Sequence, residues 1–304
     1  MKILIAKDAG YCFGVRDAVN LAFETAEEHG DVYMLGHIVH NENVVKDLDD
    51  AGAKVVRYLD DVPDSKPILF RAHGTATHVW SDAQEKGKHI IDATCPLVKE
   101  IHDEVIKLEK EGRKIIIIGD HGHDEVIGIA SQVDDVIIIA SPEEANQLRK
   151  MKKAGIVSQS TQTIENVQDI INILMTKVFD LRFVNTICFP TKRNQQQLKD
   201  LSEKCDVMIV IGSFTSANSK RLTQLALERN KRSYQVTCAD DLEKQWFTDS
   251  DVVGITAGAS TPDNIIEDVT AKIKSFSRSE AKKRKVSNLS YWLYWCRRRF
   301  KRSI

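Results

Sequence analysis

Gly10-Tyr11-Cys12-Phe13-Gly14-Val15-Arg16, Asp92-Ala93-Thr94-Cys95-Pro96-Leu97-Val98-Lys99 and Asn185-Thr186-Ile187-Cys188-Phe189-Pro190-Thr191-Lys192 share one grammar. Each follows a strand-like apolar run (Ile3-Leu4-Ile5-Ala6, His89-Ile90-Ile91, Arg182-Phe183-Val184) and leads into a segment of helical period, with a basic residue four positions after the cysteine: Arg16, Lys99 or Lys192. The cysteines lie 83 and 93 residues apart, the size of a small α/β unit and a natural period for three related domains. Further apolar runs at 32–35, 67–70, 114–118, 136–140, 155–157, 207–211 and 252–256 alternate with helical segments, which predicts βαβ units and mainly parallel sheets. The expected architecture is therefore α/β, three units around one centre. They run 1–92 with Cys12, 93–183 with Cys95 and 184–277 with Cys188, followed by a basic aromatic tail over 278–304.

The 304 residues, 42% hydrophobic and 29% charged, describe an ordinary globular chain with room for a sizeable core. Six cysteines this dispersed are not the staples of a small secreted scaffold, so reduced thiols are expected. Met1 leads straight into a strand-like run, with neither a signal-peptide pattern nor a transit peptide, and no apolar run approaches the roughly 20 residues that span a bilayer. The expected compartment is the cytoplasm. A net charge of −1 conceals an asymmetry: ten Lys and Arg against one acid from Arg278 onward put the tail near +9 and the body near −10.

Binding groups in parallel sheets collect beyond the carboxyl ends of strands, which is where these cysteines stand. Backbone N–H groups and the helix dipole favour a thiolate at a helix N-terminus, so Cys12, Cys95 and Cys188 are expected to deprotonate readily. Converging thiolates form a soft site suited to zinc, copper(I) or an iron–sulfur cluster. Without any Cys-x-x-Cys, the ligands must come from separate units, unlike a structural zinc ribbon. Three sulfurs leave one iron of a four-iron cluster open to substrate. Cys238, followed by Asp240 and Asp241, and Cys205 and Cys296, which lack the pattern, are read as structural or incidental.

All nine histidines lie within the first 123 residues, and His40, His73 and His123 occupy loops that follow strands. Partly protonated imidazoles there, with Asn41 and Gly74 nearby, suit a polyanionic head group such as a diphosphate. Two residues past His123, Glu125 is a candidate proton donor, or otherwise a first-turn helix acid. Hydroxyl and amide clusters end later strands: Ser158 to Thr163 with Ser160, Gly212 to Ser219 with Ser216, Ala217 and Asn218, and Gly258 to Pro262 with Ser260. Such residues cap helices and also bind phosphate at helix N-termini. Neither GxGxxG nor GxxxxGK[ST] occurs, which argues against nicotinamide and P-loop nucleotide binding.

These motifs together resemble the LytB family of 4-hydroxy-3-methylbut-2-enyl diphosphate reductases. The resemblance rests on Gly-Tyr-Cys-Phe-Gly-Val-Arg at 10–16, His-Asn at 40–41, Ala-His-Gly at 72–74, Asp-Ala-Thr-Cys-Pro-Leu-Val at 92–98, Gly-His-Asp-Glu-Val at 122–126, Asn-Thr-Ile-Cys at 185–188 and Ser-Ala-Asn-Ser at 216–219. It covers about Met1 to Phe276. It implies a pseudo-threefold arrangement of three α/β domains around a [4Fe–4S] cluster held by Cys12, Cys95 and Cys188, with the substrate hydroxyl on the unique iron. It further implies diphosphate contacts from His40, His73, His123, Ser216, Asn218 and Ser260, Ser160 at the alcohol end, the backbone N–H of Ala217, and Glu125 as proton donor. Electrons would come singly from reduced ferredoxin or flavodoxin, to give isopentenyl and dimethylallyl diphosphates. The chain departs from the family pattern at Asp124, usually proline, at Ser160, usually threonine, at Ala217, commonly serine, and over Phe189 to Gln195.

Two other readings compete with this one. A non-redox four-iron hydro-lyase would turn over without reductant. A thiolate-metal sensor would bind metal without affinity for allylic diphosphates. The tail, with Lys282-Lys283-Arg284-Lys285, Tyr291-Trp292-Leu293-Tyr294-Trp295 and Arg297-Arg298-Arg299, is read as a solvated extension, or as a contact for an acidic partner or an anionic membrane surface.

Overall fold

The first strand, β1 (Lys2–Ile5), does not pair with the strands that follow it. In a computed structural model, which describes residues 1–277, it lies beside the last strand of the chain, with Lys2 opposite Val252 and Ile5 opposite Ile255. The tail over 278–304 lies outside the described residues.

After α1 (Phe13–His29), the chain builds a sheet from β2 (Val32–Leu35), β3 (Ala53–Val56), β4 (Ile68–Phe70) and β5 (Ile90–Asp92), in the order β3-β2-β4-β5. Helices α2 (Glu42–Asp50) and α3 (Thr77–Glu85) connect its strands. Helix α4 (Pro96–Lys110) leads to a second sheet, β6 (Lys114–Ile118), β7 (Val136–Ile139), β8 (Met151–Ser158) and β9 (Val178–Phe183), ordered β7-β6-β8-β9 and connected by α5 (Asp124–Ala130), α6 (Pro142–Gln147) and α7 (Ile164–Leu174). Helix α8 (Phe189–Ser202) leads to the third: β10 (Val207–Ile211), α9 (Ala217–Arg229), β11 (Ser233–Val236), β12 (Val252–Ala257) and a helix α10 over 263–277. Its order is β11-β10-β12-β1. All pairings are parallel, so the three sheets repeat one topology.

The expected first unit, 1–92, is thus not a sheet unit. β1 and the Cys12 motif complete the third sheet, whose other strands come from 207–257, and there Ile3 packs against the buried Val253 and Ile255. Each cysteine stands where the chain leaves one sheet for the next. α1 packs Ala18, Val19 and Ala22 on Val32, Met34 and Leu69 of the first sheet. α4 packs Ile101, Val105 and Leu108 on Ile115, Ile117 and Val157 of the second. α8 packs Leu198 on Met208 and Val210 of the third.

Central strands such as β6, Lys-Ile-Ile-Ile-Ile, are apolar after their first residue because helices cover both faces, and that makes them easy to read. The edge strand β3 carries an outward Lys54 and an exposed Val55 and gave no comparable signal. Among the described residues no helix is long and apolar enough to cross a membrane.

Candidate active site

Cys12, Cys95 and Cys188 each N-cap the helix that follows, α1, α4 and α8, and none makes a side-chain capping bond. Their backbone N–H groups donate to the carbonyls of Ala259 at 3.2 Å, Ala72 at 3.0 Å and Ser160 at 3.0 Å, each at the end of the strand paired with the cysteine's own. This recurring bond turns all three side chains toward one cavity of about 100 Å³, and all three thiols are free. Gly14 leaves the space: a Cβ there would collide with Cys95 Sγ. Thr191, three residues into α8, accepts from Cys188 Sγ at 3.0 Å. Among the described residues no three His, Cys, Asp or Glu side chains converge on a point suited to one metal ion.

The basic residues at the fourth position after each cysteine do not form part of this wall. Arg16 and Lys99 are half exposed and face Asp263 and Asp92. The expected ease of deprotonation is also corrected. Burial outweighs the backbone N–H groups, raising the thiols of Cys12 and Cys95 and pushing Cys188 up to about 11.

The opposite wall is polar. His40, His73 and His123 cluster with ring centroids 4.4, 5.5 and 5.8 Å apart, drawn from the loops after β2, β4 and β6. Gly74, at φ +85°, turns the chain behind His73 where a side chain would press on the His102 ring. His123 N-caps α5, its Nδ1 accepting from the Glu125 N–H at 3.1 Å, which leaves the neutral ring's proton on Nε2. Partial protonation of these rings was expected, yet burial holds His40 low, His73 well below the usual imidazole range, and His123 at about 4. Burial thus favours the neutral rings. Nε2 of His40, Nδ1 of His73 and Nδ2 of Asn218 are buried without a partner. Buried polar atoms in this state are costly and mark a place for a polar guest.

Ser216 N-caps α9 by accepting from the Ser219 N–H, so its own hydroxyl proton is available, and Ala217 and Asn218 follow in the first turn. Asn41 N-caps α2 and donates from Nδ2 to the Ser260 carbonyl at 2.8 Å, while Ser260 Oγ donates to the His40 carbonyl at 3.1 Å. First and third sheets are thereby locked together at the cavity edge. Glu125, 1% exposed, accepts from the Ser160 N–H at 2.5 Å and from Ser160 Oγ at 2.7 Å. Burial raises its carboxyl more than these bonds lower it.

Every residue singled out in the sequence as a site candidate lines this cavity. Thr191 and Gly14 join them. Thr191 had a signal, since the third position after a helix N-cap faces back toward it, whereas the need for glycine at 14 depends on a contact with a distant unit. Cys205 packs in the apolar core under α8 and α9, and Cys238 caps a short turn with Asp241, away from the cavity.

A cavity at the carboxyl ends of parallel strands, lined by a buried acid and three buried imidazoles whose titration is shifted by desolvation, defines an α/β enzyme. The LytB protein family matches residues 3–274. The 4-hydroxy-3-methylbut-2-enyl diphosphate reductases of Geotalea uraniireducens and Geobacter metallireducens are 39% and 40% identical, each match covering 92% of this chain and 99% of the relative. The solved E-1-hydroxy-2-methyl-but-2-enyl-4-diphosphate reductase of Plasmodium falciparum superposes with a TM-score of 0.85 at 30% identity, covering 89% of this chain and 87% of its own. A second solved reductase, described as the terminal enzyme of the non-mevalonate pathway, gives 0.66 at 36% identity over 90% and 99%. The chain belongs to the LytB family.

Proposed function

We propose that the chain reduces (E)-4-hydroxy-3-methylbut-2-enyl diphosphate to isopentenyl and dimethylallyl diphosphates, in the cytoplasm. The reaction breaks the allylic C–O bond, takes up two electrons and two protons, and releases water. The observation that carries this reading is that a buried Glu125, its carboxyl raised by desolvation, shares one cavity with three free thiols and with three imidazoles suited to a diphosphate.

Cys12, Cys95 and Cys188 would hold a [4Fe–4S] cluster. Their donor set is soft and unpaired, and all three thiols line one cavity. When bound, the cluster would supply the electrons and an open iron for the substrate hydroxyl. The chain does the rest. His123 donates from Nε2, Asn218 from Nδ2 and Ser216 from Oγ to diphosphate oxygens, with α9 adding its first-turn N–H groups, Ala217 included. His40, His73 and Ser260 complete the contact, and the arriving anion raises imidazole basicity, so charge enters the cavity already paired. Glu125, aligned by Ser160, gives its proton to the departing hydroxyl. Reduced ferredoxin or flavodoxin delivers the electrons one at a time.

The test is anaerobic purification with iron and sulfide counted, then electron paramagnetic resonance or Mössbauer spectra with and without the allylic diphosphate. Four irons per chain with one substrate-sensitive iron are expected. A cluster without such an iron, or turnover without reductant, overturns the reading.

A further inference from the structure

We propose that Asp124 is a positioning residue of the diphosphate site: its carboxylate, tethered by Arg71 of a different sheet unit, is the counter-charge that lets His40 carry a proton against the bound diphosphate. The proposal rests on the diphosphate reading above and concerns a residue at which the chain departs from the family pattern.

Asp124 opens α5 between His123 and Glu125, on the second sheet. Its Oδ2 lies 2.5 Å from Arg71 Nη1 and 4.0 Å from His40 Nε2, both groups of the first sheet's loops. Arg71 reaches it along a lane kept open by Gly36, at φ +75°, where a Cβ would stand 3.0 Å from Nη1. The pair is about one quarter exposed, 24% and 26%, so it is only partly screened by water. His40 Nε2 is buried without a hydrogen-bond partner, and its ring lies against those of His73 and His123.

The charges facing His40 are Asp124, Arg71, His37 and Glu42. Arg71 and His37 oppose a proton on the ring, as does a charge on His73 or His123. Glu42 is turned away, its Oε1 held by Ser213 Oγ at 2.7 Å and by Thr215 Oγ1 at 3.2 Å. Asp124 is left as the carboxylate nearest the unpartnered nitrogen. Burial lowers the basicity of His40, and Asp124 is the strongest influence in the other direction, ahead of Arg71. The tether also answers the objection that an acid here would repel a diphosphate: Arg71 cancels the charge at longer range, while His40, adjacent to Oδ2, still feels it.

The test compares the full-length, cluster-loaded enzyme with its Asp124→Asn and Asp124→Glu variants, measuring calorimetric affinity for inorganic diphosphate and KM for the allylic diphosphate between pH 6 and 9. Asp124→Asn keeps a hydrogen bond to Arg71 but loses the charge. Diphosphate affinity should fall about tenfold at pH 8, with the alkaline limb of the affinity profile moved down by about one unit and kcat within about twofold. Asp124→Glu should stay within about threefold of the unsubstituted enzyme on both measures. Unchanged or tighter binding by Asp124→Asn overturns the proposal, as does an equal loss in both variants with an unmoved limb, which marks a merely structural tie. Failure of the unsubstituted enzyme to bind either diphosphate instead overturns the diphosphate reading itself.

Discussion

The two walls of the cavity are built from the same feature, the end of a parallel strand, yet burial drives them in opposite chemical directions. On the sulfur wall desolvation raises Cys12, Cys95 and Cys188 and so favours the thiol form. On the polar wall it lowers His40, His73 and His123 and so favours the neutral imidazole. Burial raises Glu125 as it raises the thiols. A single physical cause thus favours the uncharged form of every one of these groups.

The sulfur wall is broken most completely by Cys95→Ser, which should abolish both iron retention and turnover while leaving the fold intact by circular dichroism. Retained iron would show that the wall is structural. Next in size, Glu125→Gln should lower kcat by about 10²–10⁴ while iron content and diphosphate affinity stay as they were. A kcat within a few-fold of the parent enzyme would remove Glu125 from proton transfer.

The polar wall can be tested through acid stability. Because His123 is held at about 4 when folded, against 6.5 when unburied, the unfolded chain binds a proton below pH 6.5 that the folded, ligand-free protein refuses. Its contribution is present in full above pH 6.5 and is lost as the pH falls toward 4, by about 3 kcal/mol in total. Thermal melts of the ligand-free protein across that window should show the slope, and His123→Asn should reduce it by that share, His40 and His73 supplying the rest. The smallest effect is expected for Asn218→Ala, which removes one unpartnered donor: roughly tenfold weaker diphosphate binding by calorimetry, about 1–2 kcal/mol, with iron retention unchanged.

Much of this was legible residue by residue. The buried strands β6 and β10 were read at their observed limits because an unbroken apolar run has few other interpretations. The edge strand β3 was passed over because Lys54 and Val55 face outward and leave no alternation to detect. The cavity residues were visible because each follows a strand, but Asp124 and Arg71 were not, since their partnership joins loops of different sheets.

The sequence by itself determined the α/β class, the recurrence of strand, cysteine and helix, and the residue types that gather after strands, because hydrophobic period and motif spacing are local properties of the chain. Only the tertiary structure decided that β1 closes the third sheet, so that the unit boundary drawn at residue 1 gives way to a pairing between the two ends of the described chain. It also reversed the expected protonation of the thiols and imidazoles. Strand pairing and desolvation are both set by neighbours supplied from elsewhere in the chain, and a local reading of Cys12 or His40 cannot contain them.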